Sequence, residues 1–188
     1  MIYCNLKGGF GNMLFQIAAT INFAKKNNTS YSFPNLDSHL DYLARESRHN
    51  LKLNCTNHYR KFFANLPRKK PTKKLKVFNF PFHYVEVCVP NNCVIDGFFQ
   101  SEKYFSSCRE DILSIFNTKK SIDKVSIHVR RGDFLRSNNH HNVMGIEYYT
   151  KATNLFKGEE FLIFTDDYEW CKKKFTDDYY KIYEGEND

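Results

Sequence analysis

The stretch Val125-Ser126-Ile127-His128-Val129-Arg130-Arg131-Gly132-Asp133-Phe134-Leu135 decides how this chain is read. Val125, Ile127 and Val129 alternate with other residues, and the apolar pattern stops at Arg130-Arg131-Gly132-Asp133. This predicts a buried strand that delivers two guanidiniums and a carboxylate onto the loop at its C-terminal end. In open α/β sheets ligands bind there. Adjacent planar guanidinium forks suit a di-anionic group such as a diphosphate, because each makes paired charge-assisted hydrogen bonds to its oxygens. A nucleotide leaving group is the natural candidate. Read alone, the stretch fits equally well a strand end with solvated arginines, or an Arg-Gly-Asp tripeptide on an unrelated loop.

Downstream, residues 136–142 are polar and rich in His and Asn, and a helix is expected over 146–156. Phe161-Leu162-Ile163-Phe164 reads as a second buried strand with Thr165-Asp166-Asp167 at its end, followed by a helix over 168–175 and a third strand over 179–183. Alternating strands and helices predict a right-handed parallel βαβ sheet. Upstream, the polar residues 117–123 are the expected linker, which divides the chain into 1–117 and 118–188.

The chain begins with a short apolar strand, Met1 to Leu6, then Lys7-Gly8-Gly9-Phe10-Gly11-Asn12. Leu14, Ile17, Ala18 and Ile21 lie at i, i+3, i+4, i+7, predicting an amphipathic helix over 13–26 with Asn12 as its N-cap. Glycines at such a turn let backbone approach a ligand, and a helix start offers N–H groups to an anion. The spacing matches neither GxGxxG nor a P-loop, so neither a dinucleotide nor an ATP site follows, and a tight capped turn accounts for the stretch as well. A strand is expected at 31–33 and a short helix at 36–48, while 50–90 has no readable periodicity. Residues 94–97 read as a strand ending in a glycine turn, with Ser101 capping a helix that runs to Ile112.

Composition bounds these readings. With 188 residues and 41% apolar content the chain can bury one ordinary core or two small ones. Six scattered cysteines without CxxC pairs are expected to be free, buried thiols, and His128, His140 and His141 lack the spacing of metal ligands. No apolar run is long enough to span a membrane, and the start lacks a signal-peptide layout. A reducing, cytosol-like setting is expected. The charge of +7 divides into +10 over 1–94 and −3 over 95–188, with eight basic and no acidic residues in 60–76. That run could attract nucleic acid or anionic lipid, although Pro67 and Pro71 favour a solvated loop.

Four ordered segments, GGFGNMLFQIA, IDGFFQSEKYF, HVRRGDFL with the HNVM and YY that follow, and FTDDYEWCKKKF, together resemble the α-1,2-fucosyltransferases that use GDP-fucose. The resemblance covers essentially the whole chain. It implies an α/β, GT-B-like fold of two Rossmann-like lobes, an acceptor-side lobe over 1–117 and a partial nucleotide-sugar lobe over 118–188. The implied reaction inverts configuration, needs no metal or other cofactor, and moves L-fucose from GDP-fucose to the 2-hydroxyl of a galactoside. On this sequence, Arg130 and Arg131 would hold the diphosphate, and His128 would support the donor site. Gly9, Gly11 and Asn12 would border the cleft from the other lobe. Asp133 is the candidate base, or else a structural partner of the arginines, and Asp166 and Asp167 would line the nucleotide pocket. Members of the family continue past the point where this chain stops, so an incomplete C-terminal lobe, reduced stability, weakened activity and self-association are expected. Animal members sit in Golgi membranes through an N-terminal anchor; here a bacterial or viral cytoplasm is expected, with peripheral membrane contact left open. The competing readings are an inactive nucleotide- or glycan-binding remnant and, less favoured, a nucleic-acid-binding protein using residues 60–76.

Overall fold

A computed structural model describes residues 1–45, 53–116, 123–132, 134–136 and 142–184. The chain forms two compact units, Met1–Lys119 and Lys120–Asp188.

In the first unit, strands β1 (Ile2–Cys4), β2 (Tyr31–Ser32), β3 (Lys76–Asn79) and β4 (Cys93–Asp96) make a parallel sheet in the order β2-β1-β4-β3. Helix α1 (Phe10–Lys26) crosses from β1 to β2, and helices α2 (Leu36–Arg45) and α3 (Leu53–Phe62) lie in the crossover from β2 to the far edge at β3. The two crossovers run in opposite directions, and with right-handed connections that places helices on opposite faces of the sheet. Every residue of β1 is accordingly buried. The core gathers Ile2 and Cys4 from β1, Met13 and Ile17 from α1, Leu36 and Leu40 from α2, and Phe63, Ile95 and Phe99. Burial pushes the Cys4 thiol up to about 12, as expected of an inert core cysteine.

Two expectations for this unit are corrected, and a stretch without readable periodicity gains its elements. Helix α1 begins at Phe10, three residues before the expected Met13, and Gly9 rather than Asn12 occupies its N-cap position, with no side-chain cap. The cause is Gly8, whose φ of +76° turns the chain into the helix early; a Cβ on it would lie 2.5 Å from Asn12 Nδ2. The expected helix from Ser101 to Ile112 is instead two 3₁₀ turns, Glu102–Tyr104 and Ser106–Cys108, before helix α4 (Arg109–Phe116). Between the turns Phe105 leaves helical backbone at φ −146°, which lets Tyr104 bury its ring against Phe99 and Tyr84. The region 50–90 holds α3 and β3, both unread in the sequence; β3 is a four-residue edge strand with three exposed residues, so it has no apolar alternation to detect.

In the second unit, β5 (Val125–Val129), β6 (Phe161–Thr165) and β7 (Tyr180–Ile182) form a parallel sheet in chain order, joined by helices α5 (Ile146–Thr153) and α6 (Tyr168–Lys174). Both crossovers step the same way, so both helices fall on one face. There Val129 and Ile163 pack with Tyr149 of α5 and Cys171 of α6. The other face carries Ser126, His128 and Phe164, all exposed. The strands read as buried, β5 and β6, are buried on one face only. The expected free thiols are seen at Cys4, Cys93, Cys108 and Cys171, all buried, and at Cys88, which is exposed.

Candidate functional site

The Arg130-Arg131-Gly132 turn leaves the C-terminal end of β5, beside the end of β6, because Val129 and Thr165 are register partners. The acidic pair after β6 holds it. Arg131 donates its backbone N–H to Asp166 Oδ1 (2.7 Å) and its Nε to Asp167 Oδ2 (3.0 Å). Its guanidinium lies 4.0 Å above the Trp170 ring, a stacked cation–π contact. Asp167 works twice, since its other oxygen accepts from Trp170 N (3.2 Å) and caps α6. Gly132 is also constrained, as a Cβ there would meet Asp166 Oδ2 at 3.0 Å.

Asp166 and Asp167 therefore act on this loop as the carboxylate partners of Arg131, an arrangement the sequence did not reveal. Arg131 is largely shielded, with 15% side-chain exposure, whereas Arg130 is exposed and stacks on Phe134 at 5.1 Å. Asp133 lies outside the described residues, as do His140 and His141. His128 is two residues before the arginines and exposed, and it borders a hollow of ≈ 190 Å³ along the β5 edge beside α5, lined also by Ile127, Tyr148, Tyr149 and Phe156. That volume is below the roughly 300 Å³ of an ordinary ligand pocket. Two aromatic groups at this end are shifted: burial raises Tyr149, and a hydrogen bond to Glu184 raises Tyr168.

In the first unit the glycine loop is clamped by side chains that stood out in no sequence pattern. Gln16, fully buried on α1, accepts from Lys7 N (3.0 Å) and donates to Lys7 O (2.8 Å). Asn35 does the same to Leu6, at 2.8 Å each way. His39 Nε2 donates to Gly8 O (2.8 Å), and Gln100 Nε2 donates to Asn12 Oδ1 (2.7 Å). Two amide side chains thus continue the ladder where β1 has ended, which fixes the loop without further strands. Gln16 belongs to the GGFGNMLFQIA segment, but a Gln on a buried helix face could not be told from a solvated one. By contrast, a Cβ on Gly9 or Gly11 would meet nothing within 4 Å. Neither has a positive φ, so nothing in this unit demands glycine at those two positions.

The basic run is partly spent internally. Arg68 pairs with Asp37 (3.0 Å) and donates to the carbonyls of Phe63, Ala64 and Leu66; Arg60 pairs with Asp41. Among the described residues no group of three His, Cys, Asp or Glu side chains could hold a metal, and no helix is long and apolar enough to cross a membrane.

This architecture, two parallel sheets with an arginine loop and a glycine loop at strand ends, is Rossmann-like, and sequence comparison names its family. The model for glycosyl transferase family 11 matches residues 1–187. The chain belongs to that family. Family 11 is the fucosyltransferase family that the four segments resemble, and the chain is a glycosyltransferase. It is similar to the O-antigen biosynthesis glycosyltransferase WbnK of Escherichia coli, 24% identical over 241 aligned positions that cover 98% of this chain and 80% of that protein. It is also similar to an alpha-1,2-colitosyltransferase of Escherichia coli, 24% identical over 207 positions that cover 92% of this chain and 71% of the relative. The first alignment is longer than the 188-residue chain, so this family 11 member lacks internal segments that the relative carries. No solved structure matches the chain.

Proposed function

We propose that this chain transfers L-fucose from GDP-fucose to the 2-hydroxyl of a galactoside, with inversion at the transferred carbon. The reading is carried by the turn after β5, where Arg131 is locked by Asp166, Asp167 and Trp170 while Arg130 is exposed beside it. A prefixed backbone and one exposed guanidinium at a strand's C-terminal end are what a diphosphate requires. In the reaction the acceptor hydroxyl attacks the anomeric carbon as the bond to the diphosphate oxygen breaks. Arg130 stabilises the charge developing on departing GDP, and Asp133 takes the hydroxyl proton. The reading involves no metal; among the described residues the carboxylates bonded to Arg131, those of Asp166 and Asp167, already accept hydrogen bonds from Arg131 and Trp170. The α-1,2 linkage named for the colitosyl relative supports the 2-hydroxyl as the target. A two-lobed GT-B arrangement, donor in the second unit and acceptor in the first, belongs to the same proposal.

The experiment is calorimetric titration with GDP of the 188-residue protein beside Arg130→Ala, followed by transfer assays from GDP-fucose to galactosides. Micromolar binding that disappears in the variant, with fucosylated product from the parent only, is expected. Removing such a charge-stabilising donor reduces turnover by about 10² to 10³. Binding without transfer would point to a nucleotide-binding remnant, and no binding by folded parent protein would end the donor assignment.

A further inference from the structure

Three neighbouring strands of the first sheet, β1, β4 and β3, release their loops at the same C-terminal edge. Their residues form a surface beside the glycine clamp, and its aromatic part lies outside the core. Phe82, from the loop after β3, is 81% exposed, and its ring stacks on Phe98 with centroids 5.6 Å and planes 18° apart. Lys7, from the end of β1, sits 5.0 Å from the centroid of Phe98 and is ion-paired with Asp96 at the end of β4. Gln100 and Asn12, joined by their hydrogen bond, adjoin this cluster in sequence and fold.

Backbone geometry maintains the arrangement. Phe99 has a φ of +52°, a conformation that a bulky residue adopts only where its surroundings impose it, and such sites gather where ligands bind. It turns its own ring into the core at 2% exposure and leaves Phe98 half-buried and Gln100 exposed on either side. Gly97 lets the strand end approach β3's loop, since a Cβ there would lie 2.7 Å from Phe80 Cβ.

The exposed ring of Phe82, backed by the stacked ring of Phe98 and bordered by a carboxylate, an ammonium and two amides, has the chemistry of a pyranose partner. Ring faces take the sugar's C–H surface, while the polar border takes its hydroxyls. Lys7 and Asp96 neutralise each other, so the border has no preference for an anion, which separates this surface from the arginine loop. We infer that the Phe82–Phe98 pair is the platform on which the acceptor's terminal hexopyranose, a galactoside, stacks, with Asp96, Lys7, Gln100 and Asn12 addressing its hydroxyls. This rests on the proposed function for the acceptor's identity alone.

The test is saturation-transfer NMR and titration of the full chain with lactose, in parallel with GDP, for the parent, Phe82→Ala, Phe98→Ala and Phe82→Tyr. Phe82→Ala is expected to bind lactose roughly tenfold more weakly, the loss of the exposed ring face, and Phe98→Ala to bind it more weakly than the parent because Phe82 loses the ring it stacks on. Phe82→Tyr keeps parental lactose binding, and GDP affinity is equal in all four. Because Phe82 makes little core contact, its truncation leaves the fold intact. Absence of a lactose signal in the parent, or equal lactose binding in parent and both alanine variants, overturns the platform. So does a variant that loses lactose and GDP together, since that is no local effect. Lactose binding that falls in the variants of a protein that ignores GDP supports the platform while refuting the donor assignment, so the two failures are separate.

Discussion

Arg131 shows how little of a residue's role lies in its identity. Its fork bonds Asp167, its face covers Trp170 and its backbone N–H meets Asp166, so its work is to shape the turn that presents Arg130. Lysine keeps the charge but has neither plane nor fork. Arg131→Lys is therefore expected to cost about 1 to 2 kcal/mol in the second unit, because the pair is mostly shielded and loses both stacking and a charged hydrogen bond. Asp167→Ala should cost a similar amount, through the lost cap as well as the lost pair. Denaturant melts of the double variant would show less than the sum, and strict additivity would refute the shared network. The arginines and the strand before them were legible because an alternating apolar run that ends abruptly in charge marks a strand running out into a loop. The pairing of Arg131 with Asp166 and Asp167 was not, because it depends on the β5–β6 register, which brings residues 35 and 36 positions apart together.

Among the elements, the loop between β1 and α1 separates glycines that the fold needs from glycines it does not. Gly8→Ala forces a left-handed φ and a clash with Asn12, and should destabilise by about 1 to 2 kcal/mol. Gly11→Ala enters open space within a helix and should stabilise by about 0.5 kcal/mol. If a substrate approaches the backbone here, the same change lowers transfer; a Gly11→Ala enzyme that is both more stable and fully active would remove Gly11 from the site. Gln16→Leu should cost about 2 to 4 kcal/mol by thermal or urea melts, since it strands the Lys7 N–H and carbonyl together. The helix after this loop was legible from apolar spacing and the strand before it from a short apolar run. The helix start at Phe10 was not, because no side chain caps it and glycine backbone alone makes the turn. Helix α3 and strand β3 escaped for a related reason: much of their surface is polar, and their place is set by the sheet edge they complete.

At the scale of the molecule, the two units have unequal means of staying folded. Among the described residues the first unit's core joins 21 buried hydrophobic side chains and the second unit's only five. The second also exposes Leu155 at 81%, Tyr148 at 55%, Tyr183 at 50% and Phe164 at 39%. Burial of apolar area is the main stabilising term, so the second unit should unfold first. The chain has a single tryptophan, Trp170, and it belongs to that unit's core, so its fluorescence follows the second unit alone. Far-UV circular dichroism instead weights the long helix α1 and its neighbours in the first unit. In urea the fluorescence midpoint should precede the dichroism midpoint, with dye binding to exposed apolar surface appearing between them. Coincident midpoints would mean that the units unfold as one body. GDP makes the measurement a test of function too. Bound to the arginine loop at about 100 times its Kd, it should stabilise the second unit by ~2.7 kcal/mol. The fluorescence transition would then move toward the dichroism transition and the latter would stay, whereas a GDP shift of the dichroism step alone would place the nucleotide in the wrong unit.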